Sequence, residues 1–319
     1  MRRFKTQTAL TTLLGVLGLT LLVGHSENQF AQSQGGAARP VTIPLTIRLK
    51  GKTAPGELEL QTVDLSVFED GDPQTILSIR AMGTSSPITL TVLIQDDVVS
   101  SVALEIKTLG DFIRKLPRGS RVSVGYLRAG SLQVRQKFTA DLEKAAKSLR
   151  SPISVASAAP YNPYVEVIEA LRRFDSQPAG RRAILLVSDG LDLSGGIDSS
   201  SPTGSVDLQR AINEAQSRSV AIYAFYAPTV VTSTNGNLIG NAQSSLQRLS
   251  DETGGHAFFQ GFGAPTSFDP FIRELSSALD RQIALTYLST HPKKGFHRVK
   301  ITSATPDVEV TYPAGYGRR

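Results

Sequence analysis

From Ile88 the chain alternates between two hydrophobic periods, and this alternation limits the fold more than any other feature of the sequence. ITLTVLI (88–94) is apolar or β-branched throughout, the pattern of a strand buried on both faces. Val98, Val102, Ile106, Leu109, Ile113 and Leu116 follow as one stripe of an amphipathic helix, which Pro117 and Gly119 end. The exchange then recurs. RRAILLVSDG (181–190) precedes the helical VDLQRAINEAQSRS, and VAIYAFYA precedes SSLQRLSDETGG, whose glycine pair suits a left-handed cap. The short strand HAFFQG precedes SFDPFIRELSSALDRQIA, with Asp-Pro as N-cap and first helical residue. SRVSVGYLRAG and SLQVRQKFT read as a hairpin, DLEKAAKSL and VEVIEALRRF (165–174) as helices. Strands alternating with helices specify an α/β fold with a doubly wound, mostly parallel sheet.

Segments of strand period flank that unit. VTIPLTIRLK, GELELQTVDLSVFEDG and TILSIRA, with the turn DGDP at 70–73, form an N-terminal β segment over 41–86. ALTYLST, HRVKITSA and DVEVTYP form a C-terminal β segment over 284–316. The simplest arrangement joins the two as a small β layer beside the α/β domain of residues 87–283. Upstream, a basic MRRFKTQ, an apolar TALTTLLGVLGLTLLVG and a polar HSENQFAQSQGG follow the plan of a secretory signal. Residues 1–26 are read as a signal peptide or an uncleaved N-terminal anchor, and 27–40 as a linker. The expected location is exported: periplasmic or secreted, or held at the inner membrane by that segment alone.

Several classes of function find no support. The net charge of +6 includes Arg2, Arg3 and Lys5 at the extreme N-terminus, and no basic run carries interleaved aromatics, so a nucleic-acid partner is not expected. The absence of cysteine excludes disulfides and thiolate metal sites. His25, His256, His291 and His297 show no zinc-ligand spacing. There is no Gly-x-Ser-x-Gly elbow, and the turn after the first long strand, QDDVVSS, has no glycine to cradle a phosphate. The chain is not expected to be an enzyme.

What remains is a set of acids at strand ends. Asp96 and Asp97 follow ITLTVLI, and Asp189 follows RRAILLVS. Ligands of open parallel sheets bind beyond the carboxyl ends of strands, where the strand order reverses. Buried acids there need a cation on them. Two long loops, 191–205 and 228–241, leave the same ends, and YNPY (161–164) opens a helix on that face.

Over residues 41–316 the chain resembles the von Willebrand factor type A domains, and among them the exported VWFA-related proteins whose family name refers to acidobacteria. The resemblance rests on LSVFEDGDPQTILSI with its Glu-Asp-Gly-x-Pro-Gln core, on RGSRVSVGYL, RRAILLVSDGLD and DETGGHAFF, and on the closing Tyr287 and Ala314-Gly315-Tyr316. It implies a Rossmann-like domain, non-catalytic adhesion to a protein or matrix partner, and a Mg²⁺ held by Asp-x-Ser-x-Ser, a distal Thr and an Asp before Gly. Here position +2 is Val98 or Val99, position +4 is Ser100 or Ser101, and SAAPYNPYVEVIEAL holds no Thr. The site is thus degenerate, and Mg²⁺ is not a certain cofactor. The candidate metal residues are Asp96, Asp97, Ser100 and Asp189. The candidate partner contacts are Ser101, Tyr161, Asn162 and Asp192. The expected partner is a protein or an extracellular or envelope matrix. The alternatives are a cation-independent envelope scaffold and a small-ligand-binding or catalytic protein on a doubly wound fold.

Overall fold

A computed structural model describes residues 38–49, 64–178, 180–196, 200–261 and 263–318. Along the chain run β1 (Arg39–Leu49), β2 (Leu65–Glu69), β3 (Asp72–Ala81), β4 (Thr89–Gln95), α1 (Ile106–Arg114), β5 (Arg121–Arg128), β6 (Ser131–Thr139), α2 (Leu142–Lys147) and α3 (Pro163–Arg172). Then follow β7 (Arg182–Ser188), α4 (Val206–Ser217), β8 (Ala221–Tyr226), α5 (Val230–Ser233), α6 (Gly236–Thr253), β9 (Ala257–Phe258), α7 (Asp269–Asp280), β10 (Gln282–Ser289), β11 (Gly295–Ser303), β12 (Val308–Thr311) and β13 (Gly315–Arg318). The segment read as a signal or anchor (1–26), most of the linker and residues 50–63 lie outside the described residues. Among the described residues no helix is long and apolar enough to cross a membrane.

Six strands form a sheet in the order β6-β5-β4-β7-β8-β9. All neighbours in it are parallel except the β5–β6 hairpin. Helices cover both faces. On β7, Leu185 and Val187 pack with residues of α1, α2 and α7, while Ile184 and Leu186 pack with α3, α4 and α6. A strand covered on both sides has no polar face to present, which is why these segments read as unbroken apolar runs. The winding reverses at β4, which lies between β5 and β7. Loops leaving β4 and β7 therefore diverge and open a crevice between them.

The second sheet departs from expectation. Instead of a small layer it has seven strands, in the order β12-β1-β10-β3-β2-β11-β13. Its pairings are all antiparallel, so the largest sheet of the molecule is not a Rossmann-like one. Strands from both ends of the chain build it around Ile43, Leu45, Val67, Leu285, Tyr287, Val299 and Ile301. The β2–β3 hairpin turns on Asp70 and Gly71, at φ 51° and 99°. Two successive positive φ values match the twist of the strands, and Asp-Gly supplies them at low cost. β1 starts at Arg39, inside the stretch read as linker. β13 has no signature in the sequence because glycines fill it, and a Cβ at Gly315 would collide with the His297 carbonyl.

Three local expectations also change. The stripe from Val98 does not begin as α-helix: a 3-10 helix, Ser100–Glu105, precedes α1. Val98 forms a β-bridge with Thr229, and Val99 N donates to Pro228 O at 2.9 Å, so this turn is tied to the neighbouring loop. The loop at 228–241 is largely helical, because Thr229 and Thr232 form a capping box on α5 and Asn235 caps α6. α7 takes Phe268 as N-cap, with Asp269 inside its first turn.

Candidate functional site

The crevice at the carboxyl ends of β4 and β7 receives Gln95, Asp97, Asp189 and Thr229 as the polar floor of a cavity of about 280 Å3. Its walls are Ala156, Ala159, Pro160, Tyr161, Leu191, Leu193, Val230 and Val231, with Ser154 among them.

Asp96 does not face this cavity. It is fully buried, and its two oxygens accept from Arg150 Nη1 and Nη2 at 2.7 and 2.8 Å. Ile153 N donates to the same carboxylate at 3.1 Å. The guanidinium lies 3.9 Å above the Tyr126 ring. The Tyr126 hydroxyl accepts from Arg150 N and donates to Arg150 O, at 2.7 and 2.6 Å. A planar fork on a planar carboxylate, stacked on an aromatic face, is the strongest pairing two such side chains make. The bond to Asp96 raises the Arg150 pKa above its ordinary value. The cation that a buried acid at this strand end requires is therefore part of the chain.

Gln95 ties the two remaining acids together. Its Nε2 donates to Asp97 Oδ1 at 2.9 Å, while its Oε1 accepts from Ser188 Oγ at 2.5 Å and Asp189 N at 3.3 Å. Asp189 Oδ1 accepts from Leu191 N at 3.1 Å, and Oδ2 accepts from Thr229 Oγ1 at 2.9 Å. Burial pushes the Asp97 carboxyl up. Burial, reinforced by the charge of Asp97, pushes Asp189 up to about 7. Each acid thus gains from any positive group that enters the cavity. Beneath them Gly190 holds φ 71°, and a side chain there would drive into Leu246 and the Ala242 carbonyl.

The structure sorts the other candidates. Ser100 and Ser101 are exposed at the start of the 3-10 helix, away from the cavity wall. Tyr161 stands at the cavity, 66% exposed, at φ 60°. Asn162 is buried as the cap of α3, with Oδ1 accepting from Tyr164 N at 3.1 Å and Nδ2 donating to Asp207 at 2.8 Å. Asp192 is buried and accepts from Ser194 Oγ and Ser205 Oγ at 2.6 and 2.5 Å. These bonds tie the 191–205 loop to the start of α4. Asn162 and Asp192 are buried beside the cavity residues Tyr161, Leu191 and Leu193.

Mg²⁺ calls for about six oxygens in octahedral array. The residues present do not fit it. Asp96 is engaged by Arg150, both serines face outward, and the Thr229 hydroxyl donates its proton to Asp189. Asp97 and Asp189 alone are a poor remainder for an octahedral ion. The sequence reading missed Gln95, Arg150 and Thr229. The need of Asp96 for a cation pointed to a nearby arginine, and Thr-x-x-Thr before α5 marked a cap, but neither signal gave the pairing.

No family model matches the sequence, and no curated protein matches it. Among solved structures, an aerotolerance-related membrane protein from Bacteroides fragilis superposes with TM-score 0.42 at 13% identity, over 60% of this chain and 98% of that one. The conserved hypothetical protein BatB from Bacteroides thetaiotaomicron gives 0.38 at 14% identity, over 60% and 97%. A von Willebrand factor type A protein from Catenulispora acidiphila gives 0.43 at 13% identity, over 89% and 74%.

Proposed function

We propose that the chain is an exported, non-catalytic interaction protein of the von Willebrand A type. In this reading the six-stranded sheet is the Rossmann-like frame, and its carboxyl-end crevice docks a protein or envelope-matrix partner without a metal ion. A basic side chain of the partner enters the cavity. The carrying observation is the two-pronged Arg150–Asp96 pair, which supplies the positive charge of the strand end from within the chain. The rest of the crevice matches a lysine in chemistry. Val230, Val231, Leu191 and Leu193 suit an aliphatic stem, and Asp97 and Asp189 lie at the floor for the ammonium group. A charge there offsets the burial that lifts the Asp189 pKa and the repulsion from Asp97 that adds to it. Export rests on the basic, apolar and polar succession of residues 1–36.

The test is an NMR titration of the full chain with a short lysine-containing peptide and with its acetyl-lysine counterpart. Only the charged peptide is expected to shift the amides of Thr229, Val230 and Leu191, equally well in a chelator. Asp97→Asn with Asp189→Asn removes the response. Equal response to both peptides, or a response that appears only with added Mg²⁺, contradicts the reading.

A further inference from the structure

A second constellation lies in the antiparallel sheet, away from the crevice. Glu69 ends β2, Asp70 begins the hairpin turn, and His297 is on β11, which pairs with β2. Asp70 N donates to Arg298 O at 2.9 Å, and Arg298 N donates to Asp70 Oδ1 at 2.8 Å, so the turn is pinned beside His297. One ligating atom from each of Glu69, Asp70 and His297 lies within 4.8 Å of the others.

The imidazole is oriented in a particular way. His297 Nε2 is 2.8 Å from the Lys293 carbonyl oxygen. A carbonyl only accepts, so Nε2 carries a ring hydrogen. Nδ1 faces Asp70 Oδ2 at 2.7 Å and Glu69 Oε1 at 3.4 Å, and in the metal-free fold it donates a second proton to the Asp70 carboxylate. A metal ion bound here takes the place of that proton, with three ligand atoms around it. A backbone carbonyl on the far nitrogen is also the usual support of a metal-bound histidine.

A proton on Nδ1 serves Asp70 but leaves buried groups unmet. Glu69 is fully buried: its Oε1 accepts from Ser289 Oγ at 3.0 Å and Tyr316 OH at 2.9 Å, while Oε2 has no partner among the described residues. The fully buried Tyr287 hydroxyl lies against Glu69 and Tyr316, while Nδ1 of His291, whose ring centroid is 5.9 Å from that of His297, has no partner among the described residues. Two donors held about 2.0 Å from a tetrahedral ion sit roughly 3.3 Å apart. The His297–Glu69 separation already has that length. Asp70, exposed at its turn, is the group that moves back to admit an ion.

We propose that Glu69, Asp70 and His297 bind a divalent transition cation of the zinc class, through His297 Nδ1 and one oxygen of each carboxylate. Imidazole nitrogen with carboxylate oxygen favours such an ion over Mg²⁺ or Ca²⁺.

The experiment is calorimetric titration of the chelator-treated full chain with ZnCl2, paired with CoCl2 absorption spectra. One saturable site and visible cobalt bands are expected. His297→Gln removes both. Asp70→Asn keeps the metal-free melting temperature, since asparagine tolerates positive φ, and weakens Zn²⁺ binding at least about tenfold, the scale seen when even an outer partner of a ligand is lost. If His297→Gln does not fold, Asp70→Asn decides. Absence of saturable binding at millimolar Zn²⁺, or binding that Asp70→Asn leaves unchanged, overturns the proposal.

Discussion

Two groups of acids sit in the two sheets and meet positive charge by different means. In the parallel sheet, Asp96 holds a permanent cation, the Arg150 guanidinium, and Gln95 spans from Asp97 to Asp189 with its amide. In the antiparallel sheet, Glu69 and Asp70 share one imidazole, whose Nδ1 faces them with a proton that a metal ion can displace. An arginine keeps its charge at every relevant pH, whereas a neutral imidazole leaves a position for an ion. Acid placement alone therefore does not locate a metal; what decides is whether a fixed cation already sits on the acid.

The largest expected effect comes from breaking the first group. Arg150→Met leaves the Asp96 charge buried without its partner and is expected to cost about 3–5 kcal/mol in urea unfolding. A cost below about 1 kcal/mol would mean that the pair is worth no more than a surface bridge, and that the contrast with Glu69 is misplaced.

A third acid sharpens the comparison, because no cation meets it among the described residues. Glu166 on α3 is buried, and burial pushes its pKa up to about 8 against the nearby backbone groups of Gly130, Ser131 and Arg128. Its folded pKa is above the unfolded one, so its stabilising contribution is complete below the ordinary carboxylate range and is lost as pH rises through about 8. Glu166→Gln is expected to flatten the stability profile between about pH 5 and pH 9, by a difference on the order of 3 kcal/mol. Identical slopes in wild type and variant would show that Glu166 is already charged in the fold.

Much of the frame is legible in the sequence, because burial on two faces and burial on one leave different periods. β4, β7, β8 and α7 follow from those periods almost residue by residue. The site is less legible. Asp96 and Asp97 are adjacent, yet alternation along the chain sends one to Arg150 and the other to the cavity. His297 meets Asp70 across 227 positions, through a strand pairing that no local pattern encodes. The resemblance places a metal-binding Thr within SAAPYNPYVEVIEAL, where none stands, and the hydroxyl on Asp189 is that of Thr229 from the loop after β8.

Smaller effects probe the cavity floor and rim. Thr229→Val removes the hydroxyl that donates to Asp189 and is expected to cost about 1–2 kcal/mol. It also lifts the Asp189 carboxyl further, readable as a carbon-13 chemical-shift titration; an unmoved titration would mean the bond is not made in solution. Tyr161→Ala, at an exposed position, is expected to change stability by no more than about 0.5 kcal/mol while weakening lysine-peptide binding. Unchanged peptide binding would remove Tyr161 from the docking face.

The most direct measurement is calorimetric titration of the full chain with MgCl2, in wild type and in Asp189→Asn. With Asp96 held by Arg150 outside the cavity, the crevice should give no saturable heat up to millimolar Mg²⁺ in either protein. Saturable Mg²⁺ binding in wild type that disappears in Asp189→Asn would contradict the account, placing a working metal site where Arg150 is held to have replaced it.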